Sequence, residues 1–340
     1  MRRYGPVVTL LLLAPLIGEV LFGAVPLSRL PFGLLGLVGL YGGGAILVRE
    51  VVRRRRLSSL WLVVLGLAYG IVEEGTVLQS LFDQHYPGLD FLGFYGHWVG
   101  VNWVWSEFIV PYHAVFSIAI PILLTELIFP DRREHAWLGP RELVGVGALF
   151  AANGVLLAIF KVGLFTTHAP KTSLGSNLGA AVVAAGLIGA ALRAQPHMAQ
   201  PASINVRSAS PRRLRLIGLL SGLGWFVGLR VLLIGDGKLM PPVAVLLGGL
   251  VIGMLAWWRI AHWSSPRHAW TPEHTYALVA GALPTSWLLG FLIAAVSGGS
   301  IILNLIGQVI FGFAMFLGLR RLRDKIRRGM ANCRMGDAVA

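Results

Sequence analysis

Residues 59–81 read SLWLVVLGLAYGIVEEGTVLQSL and follow the basic run Arg53-Arg54-Arg55-Arg56. This length matches the roughly 20 apolar residues that carry an α-helix across a hydrocarbon core, and is about twice that of a membrane β-strand. Lipid offers the backbone no hydrogen-bond partner, so such a stretch closes its own bonds as a helix. Two carboxylates, Glu73 and Glu74, stand inside it. Each charge at bilayer depth costs about 2.5 to 3.5 kcal/mol on insertion scales, so a pair kept there faces a cavity or a partner rather than lipid.

Stretches of the same kind occupy residues 6–25, 32–51, 103–128, 142–164, 174–192, 214–234, 241–260, 275–296 and 300–319. The 340 residues are 56% apolar and 13% charged, against about 45 to 50% and about 25% in soluble proteins. The fold class is therefore all-α: a polytopic transmembrane helical bundle of about ten spans, forming one integral membrane domain with a basic tail over 320–340. Arg2 and Arg3 followed by an apolar run suggest a signal peptide, but Glu19 and the missing A-x-A site make this the first span. The net charge of +14 lies in short runs between apolar stretches. Such runs are orientation signals, which sets nucleic acid aside as a partner. When the spans are threaded alternately, only Arg29, Lys161, Lys171, Arg230 and Lys238 fall at or near the far side. Both termini are thus expected in the cytoplasm, with the chain in the cytoplasmic membrane and membrane lipids as its partners. Cys333 is the single cysteine, so no intrachain disulfide or thiolate metal cluster forms. The Pro- and Ser-bearing segment 195–213 reads as a flexible loop dividing the helices five and five.

At 1.5 Å per residue, Glu19, Glu73, Glu74 and Arg230 lie about 20 to 24 Å from the cytoplasmic end of their helices, while Glu107 and His113 lie about 6 and 15 Å below the outer surface. Isolated in lipid these charges would be too costly. They are expected to share one polar cavity in the outer half of the bilayer. Tyr69, Glu73, Thr76 and Ser80 recur at helical spacing, as do Asn102, Ser106, His113 and Ser117, giving two polar stripes that should face each other. Pro111 removes a backbone bond and frees the carbonyl of Glu107. Asn153 is a further polar candidate. Lys161 is expected to snorkel to the interface, Glu126 to be solvated at its cytoplasmic helix end, and Asn304 and Gln308 to join helices. His85, His97, Asp83 and Asp90 fit no known metal spacing; neither a metal nor a cofactor is expected.

A Glu and a His across a dry cavity can activate water: the carboxylate takes its proton, while imidazole, Asn or Ser donors hold the developing oxyanion. Glu73, Glu74, His113 and Glu107 are the catalytic candidates, with Glu19, Tyr69, Asn102, Ser106, Ser117, Asn153 and Arg230 lining the cavity. These residues resemble the glutamate-dependent intramembrane proteases, which include CAAX prenyl endopeptidases and PrsW-type proteases. Glu73-Glu74 matches that family's paired-Glu helix, and His113-Ala114-Val115-Phe116-Ser117 is similar to its H-A-x-x-S/T helix. Leu78 stands where the family has Arg, Phe108 is one residue too far from His113 for F-x-x-x-H, and no later His-x-x-x-Asn exists. The resemblance implies hydrolysis of a membrane-embedded substrate. The chain also resembles bacterial multi-pass proteins sharing Y-G-G-G, A-Y-G-x-x-E-E-G and G-V-N-W-V-W, seen at Tyr41, Ala68 and Gly100, a likeness that implies no activity. A proton-coupled secondary transporter of a small molecule uses the same intramembrane carboxylates, and a non-catalytic membrane interaction protein is the third reading.

Overall fold

The computed structural model describes residues 3–30, 36–164, 169, 172–196, 209–234, 239–265 and 270–337, excepting the side chains of 161–164, 227–234 and 331–337. All ten apolar stretches are helical there. Helix α1 is Gly5–Val20, and α2 joins a π-turn, Val38–Gly42, to an α-helix, Gly43–Arg54. Next come α3 (Leu60–Val77) and α4 (Trp103–Ile128), then α5 (Pro140–Leu164), α6 (Leu174–Arg193), α7 (Pro211–Ile234), α8 (Pro242–Trp263), α9 (Pro272–Val296) and α10 (Ile301–Asp337). Among the described residues, seven helices are long and apolar enough to cross a membrane: α3, α4, α5, α6, α8, α9 and α10. The chain is a multi-pass membrane protein built of helices.

Two apolar cores hold it together. One packs α1 and α2 against α3 and α4 through Leu10, Ile46, Leu62 and Ile118. The other joins α1 and α4 to α9 and α10 through Phe22, Tyr112, Phe116 and Leu283. Helix α7 lies along α9, α5 along α2, and α6 along α3. By contrast, α5, α6 and α8 bury 6%, 17% and 0% of their most apolar windows. Exposed Ile159, Val182, Leu247 and Met254 form apolar faces far beyond what a water-soluble monomer tolerates. Lipid is the solvent these faces fit.

Boundaries depart from the sequence reading at two places. Helix α3 ends at Val77 rather than 81, because Gln79 adopts a left-handed backbone with φ of 66° and turns Ser80 back toward the helix. Helix α10 runs through the expected tail to Asp337, since Leu319, Leu322 and Ile326 continue the apolar face on the core. Most of the expected loop, 195–213, lies outside the described residues. Between α3 and α4 a two-residue hairpin pairs His97 with Asn102. Its turn places Val99 and Gly100 at φ of 52° and 73°, the pattern of a type I′ turn. The hairpin delivers Asn102 as the N-cap of α4, accepting from the Trp105 amide.

Glu126 is a correction: it is 2% exposed rather than solvated. Arg53 Nη2 meets its Oε2 at 2.6 Å and Arg49 Nε its Oε1 at 3.3 Å. Arg49 also reaches Glu50 at 2.9 Å, and its guanidinium lies 3.8 Å from the Trp137 ring centroid.

Candidate functional site

Among the described residues, four helices contain π-turns: Leu16–Val20 in α1, Val38–Gly42 in α2, Val72–Val77 in α3 and His113–Ala119 in α4. Such turns are rare and frequently mark functional sites. Each carries polar groups of one cluster: Glu19, Tyr41, Glu73 with Glu74, and His113 with Ser117. Pro111 sits two residues before the turn in α4, where its missing N–H loosens the ladder.

His113 is the hub. Its Nε2 stands 2.9 Å from Glu74 Oε1, and its Nδ1 stands 3.0 Å from Ser117 Oγ and 3.3 Å from Glu73 Oε2. Ser80 donates to the other Glu74 oxygen and accepts from Trp105 Nε1 at 3.0 Å. Glu19 accepts from the Tyr41 hydroxyl at 2.5 Å and lies within electrostatic reach of Glu73, His113 and Glu74. Rings of Tyr41, Tyr69 and Tyr112 surround the imidazole, with centroids 5.9, 6.2 and 5.6 Å away. The Tyr69 hydroxyl borders Glu73 without a bond of standard geometry.

Small residues make this closeness possible. A Cβ on Gly18 would stand 2.6 Å from Ser117 Oγ, and one on Gly70 would stand 3.2 Å from the His113 Cβ. Glu73, Glu74 and His113 are 1%, 5% and 1% exposed; Glu19 is the partly exposed member. Three carboxylates thus face one imidazole. Among the described residues no Lys or Arg pairs with them, and Glu73 Oε2, beside His113 Nδ1 at 3.3 Å, accepts no hydrogen bond of standard geometry. The metal-type donors of Glu73, Glu74 and His113 lie within 4.8 Å of one another, a grouping that could hold a divalent ion and that sequence spacing did not reveal.

Other expected site residues lie elsewhere. Glu107 points at α8, where a Cβ on Gly249 would collide with its carboxylate, because six positions along a helix from His113 is a different face. Asn102 donates to the Leu92 carbonyl and its own carbonyl accepts from Ser106 Oγ at 2.6 Å, so both serve the start of α4. Asn153 packs over Gly39 of α2. Thr76 is exposed: the π-turn shifts the helical period and turns Glu74 inward instead. The side chain of Arg230 lies outside the described residues. The sequence reading did not name Tyr41 and Trp105 as site residues, although both lie in its Tyr41-Gly-Gly-Gly and Gly100-Val-Asn-Trp-Val-Trp segments; Ser80 it placed only on the polar stripe of α3.

No curated protein and no solved structure matches the chain. A family model does, over residues 8–320, nearly the whole length and every residue of the cluster; the chain belongs to this uncharacterized membrane protein family.

Proposed function

We propose that the cluster is the working centre of an intramembrane hydrolase that cleaves a bond in a membrane-embedded peptide or lipid-linked substrate. The observation that carries this reading is the buried imidazole held between Glu74 and the Ser117–Glu73 side, with one carboxylate oxygen, Glu73 Oε2, 3.3 Å from His113 Nδ1 but in no hydrogen bond of standard geometry. A water entering past partly exposed Glu19 has its natural acceptor at that oxygen. Glu73 takes the proton as the water oxygen bonds to the substrate carbonyl carbon. His113, oriented by Glu74, stabilises the oxyanion. Collapse breaks the carbonyl bond to the leaving amine or alcohol, which receives the proton from Glu73. The second reading is proton-coupled transport. Its support is the near-complete enclosure of Glu73, Glu74 and His113, which suits an occluded proton carrier on four helices.

The test is isotopic, because a heavy-oxygen label marks the broken bond whatever the substrate is. Membranes containing the protein are incubated in heavy-oxygen water, and peptides and lipids are analysed by mass spectrometry. Hydrolysis places one heavy oxygen in a new carboxyl group. Glu73→Gln and His113→Ala should each lower that product at least 100-fold, the smaller end of a general base's contribution, while the folded protein persists. Equal labelling in wild type and variants rejects the reading. No labelled product, together with proton-coupled uptake lost in the same variants, establishes the transporter instead.

A further inference from the structure

We infer that a groove between α1, α4, α9 and α10 seats one acyl chain of an anionic phospholipid, whose phosphate is held by Arg321 and Lys325. This inference does not rest on the hydrolase reading, since the groove lies on a different face of α1 from Glu19. The groove has a volume of about 450 Å³, within the range of small-ligand pockets. Its walls are apolar, with Ile17 and Leu21 of α1, Leu124 of α4 and Met315 of α10 among them. Water is a poor occupant of such a space. Along α10 the lining runs from Phe311 to Lys325, about 21 Å of helix. That exceeds half of the roughly 30 Å hydrocarbon core, so a chain from one leaflet fills it. Gly318 faces the open space of the groove, where a Cβ would meet nothing within 4 Å.

Charge complementarity selects the headgroup. The charged lining residues are Arg321 and Lys325, one turn apart on one helix face at its polar end. Lys325 donates to the Ile128 carbonyl at 2.6 Å, leaving two of its three donors. Arg321 has no ion partner among the described residues. The nearby acids are engaged elsewhere, Asp324 with Arg323 at 3.7 Å and Glu273 with Arg327 at 3.9 Å. A phosphate oxygen at the groove mouth completes both cations by charge-assisted bonds.

The full chain is reconstituted into vesicles of equal phosphatidylglycerol and phosphatidylcholine, extracted in mild detergent, and weighed by native mass spectrometry. One phosphatidylglycerol should stay on each chain. The double variant Arg321→Ala with Lys325→Ala should weaken retention roughly thirtyfold, the loss of two surface cations. Gly318→Phe keeps both charges but fills the seat, and should abolish retention. A melting curve on each variant verifies folding. Equal retention of phosphatidylcholine overturns the inference, as does wild-type retention by Gly318→Phe, which would mean attraction to the charged surface without a chain seat.

Discussion

Arg49, Arg53, Glu50 and Glu126 illustrate what a buried charge does when its partners balance it. The guanidiniums of Arg49, Arg53 and partly exposed Arg54 face the carboxylates of Glu50 and Glu126, Arg49 spends further donors on the Arg132 and Arg133 carbonyls, and Trp137 covers it. Removing one partner from such a network leaves uncompensated charge and costs about 3 to 5 kcal/mol. Glu126→Ala should therefore lower the thermal midpoint by several degrees in detergent, measured by tryptophan fluorescence. A midpoint unchanged within a degree would mean that the network contributes nothing. The Glu73, Glu74, His113 and Glu19 cluster is the opposite case, with acids in excess of cations, and that imbalance sets it apart from a purely structural network. That Glu19, Glu73 and Glu74 stand inside apolar stretches was legible from the sequence alone, while the burial of Glu126 was not. Glu126 sits near a helix end, and height along one helix carries no information about Arg49 and Arg53 on another.

At the scale of the element, the π-turns decide which side chains meet. Helical spacing correctly placed Glu73 and His113 on apolar helices, but it assumed 3.6 residues per turn throughout. The extra residue in Val72–Val77 breaks that period, bringing Glu74 in and turning Thr76 out. Pro111 was readable as a disturbance in α4, and Pro15, directly before Leu16–Val20, is a mark of the same kind in α1; the turn around Tyr41 has no proline beside it. A π-turn of this kind amounts to one inserted residue. Deleting Val115, which is only partly buried, should restore an ordinary α-helix through α4 with its flanks in register. The expected result is folded protein, with a thermal midpoint near that of wild type, that has lost the heavy-oxygen product. Full product from the deletion variant would show that the turn has no part in placing His113.

For the whole molecule, the all-α reading followed from composition and run length, and the exposed apolar faces of α5, α6 and α8 agree with it. Orientation is a separate expectation, drawn from where Lys and Arg fall along the chain. Alkaline phosphatase fused after Lys171 or Lys238 should be active, and fused after Arg56 or Arg207 inactive. The reverse pattern would invert the topology. The cost of isolated charge grouped Glu19, Glu73, Glu74 and His113 in the sequence reading, but gave no sign of Tyr41 in α2 or of contacts such as Tyr112 Oη to the Gly18 carbonyl at 2.8 Å between distant segments. The arrangement has a consequence for biogenesis. Glu19, Tyr41, Glu73, Glu74, His113 and Ser117 all belong to α1 to α4, so the ribosome has delivered every one of them before α5 emerges. N-terminal elements of a growing chain fold first. A nascent chain that stalls after α4 would carry the complete acid and imidazole set with α9 and α10 still missing from its flank, an incompletely shielded polar centre that membrane quality control can recognise.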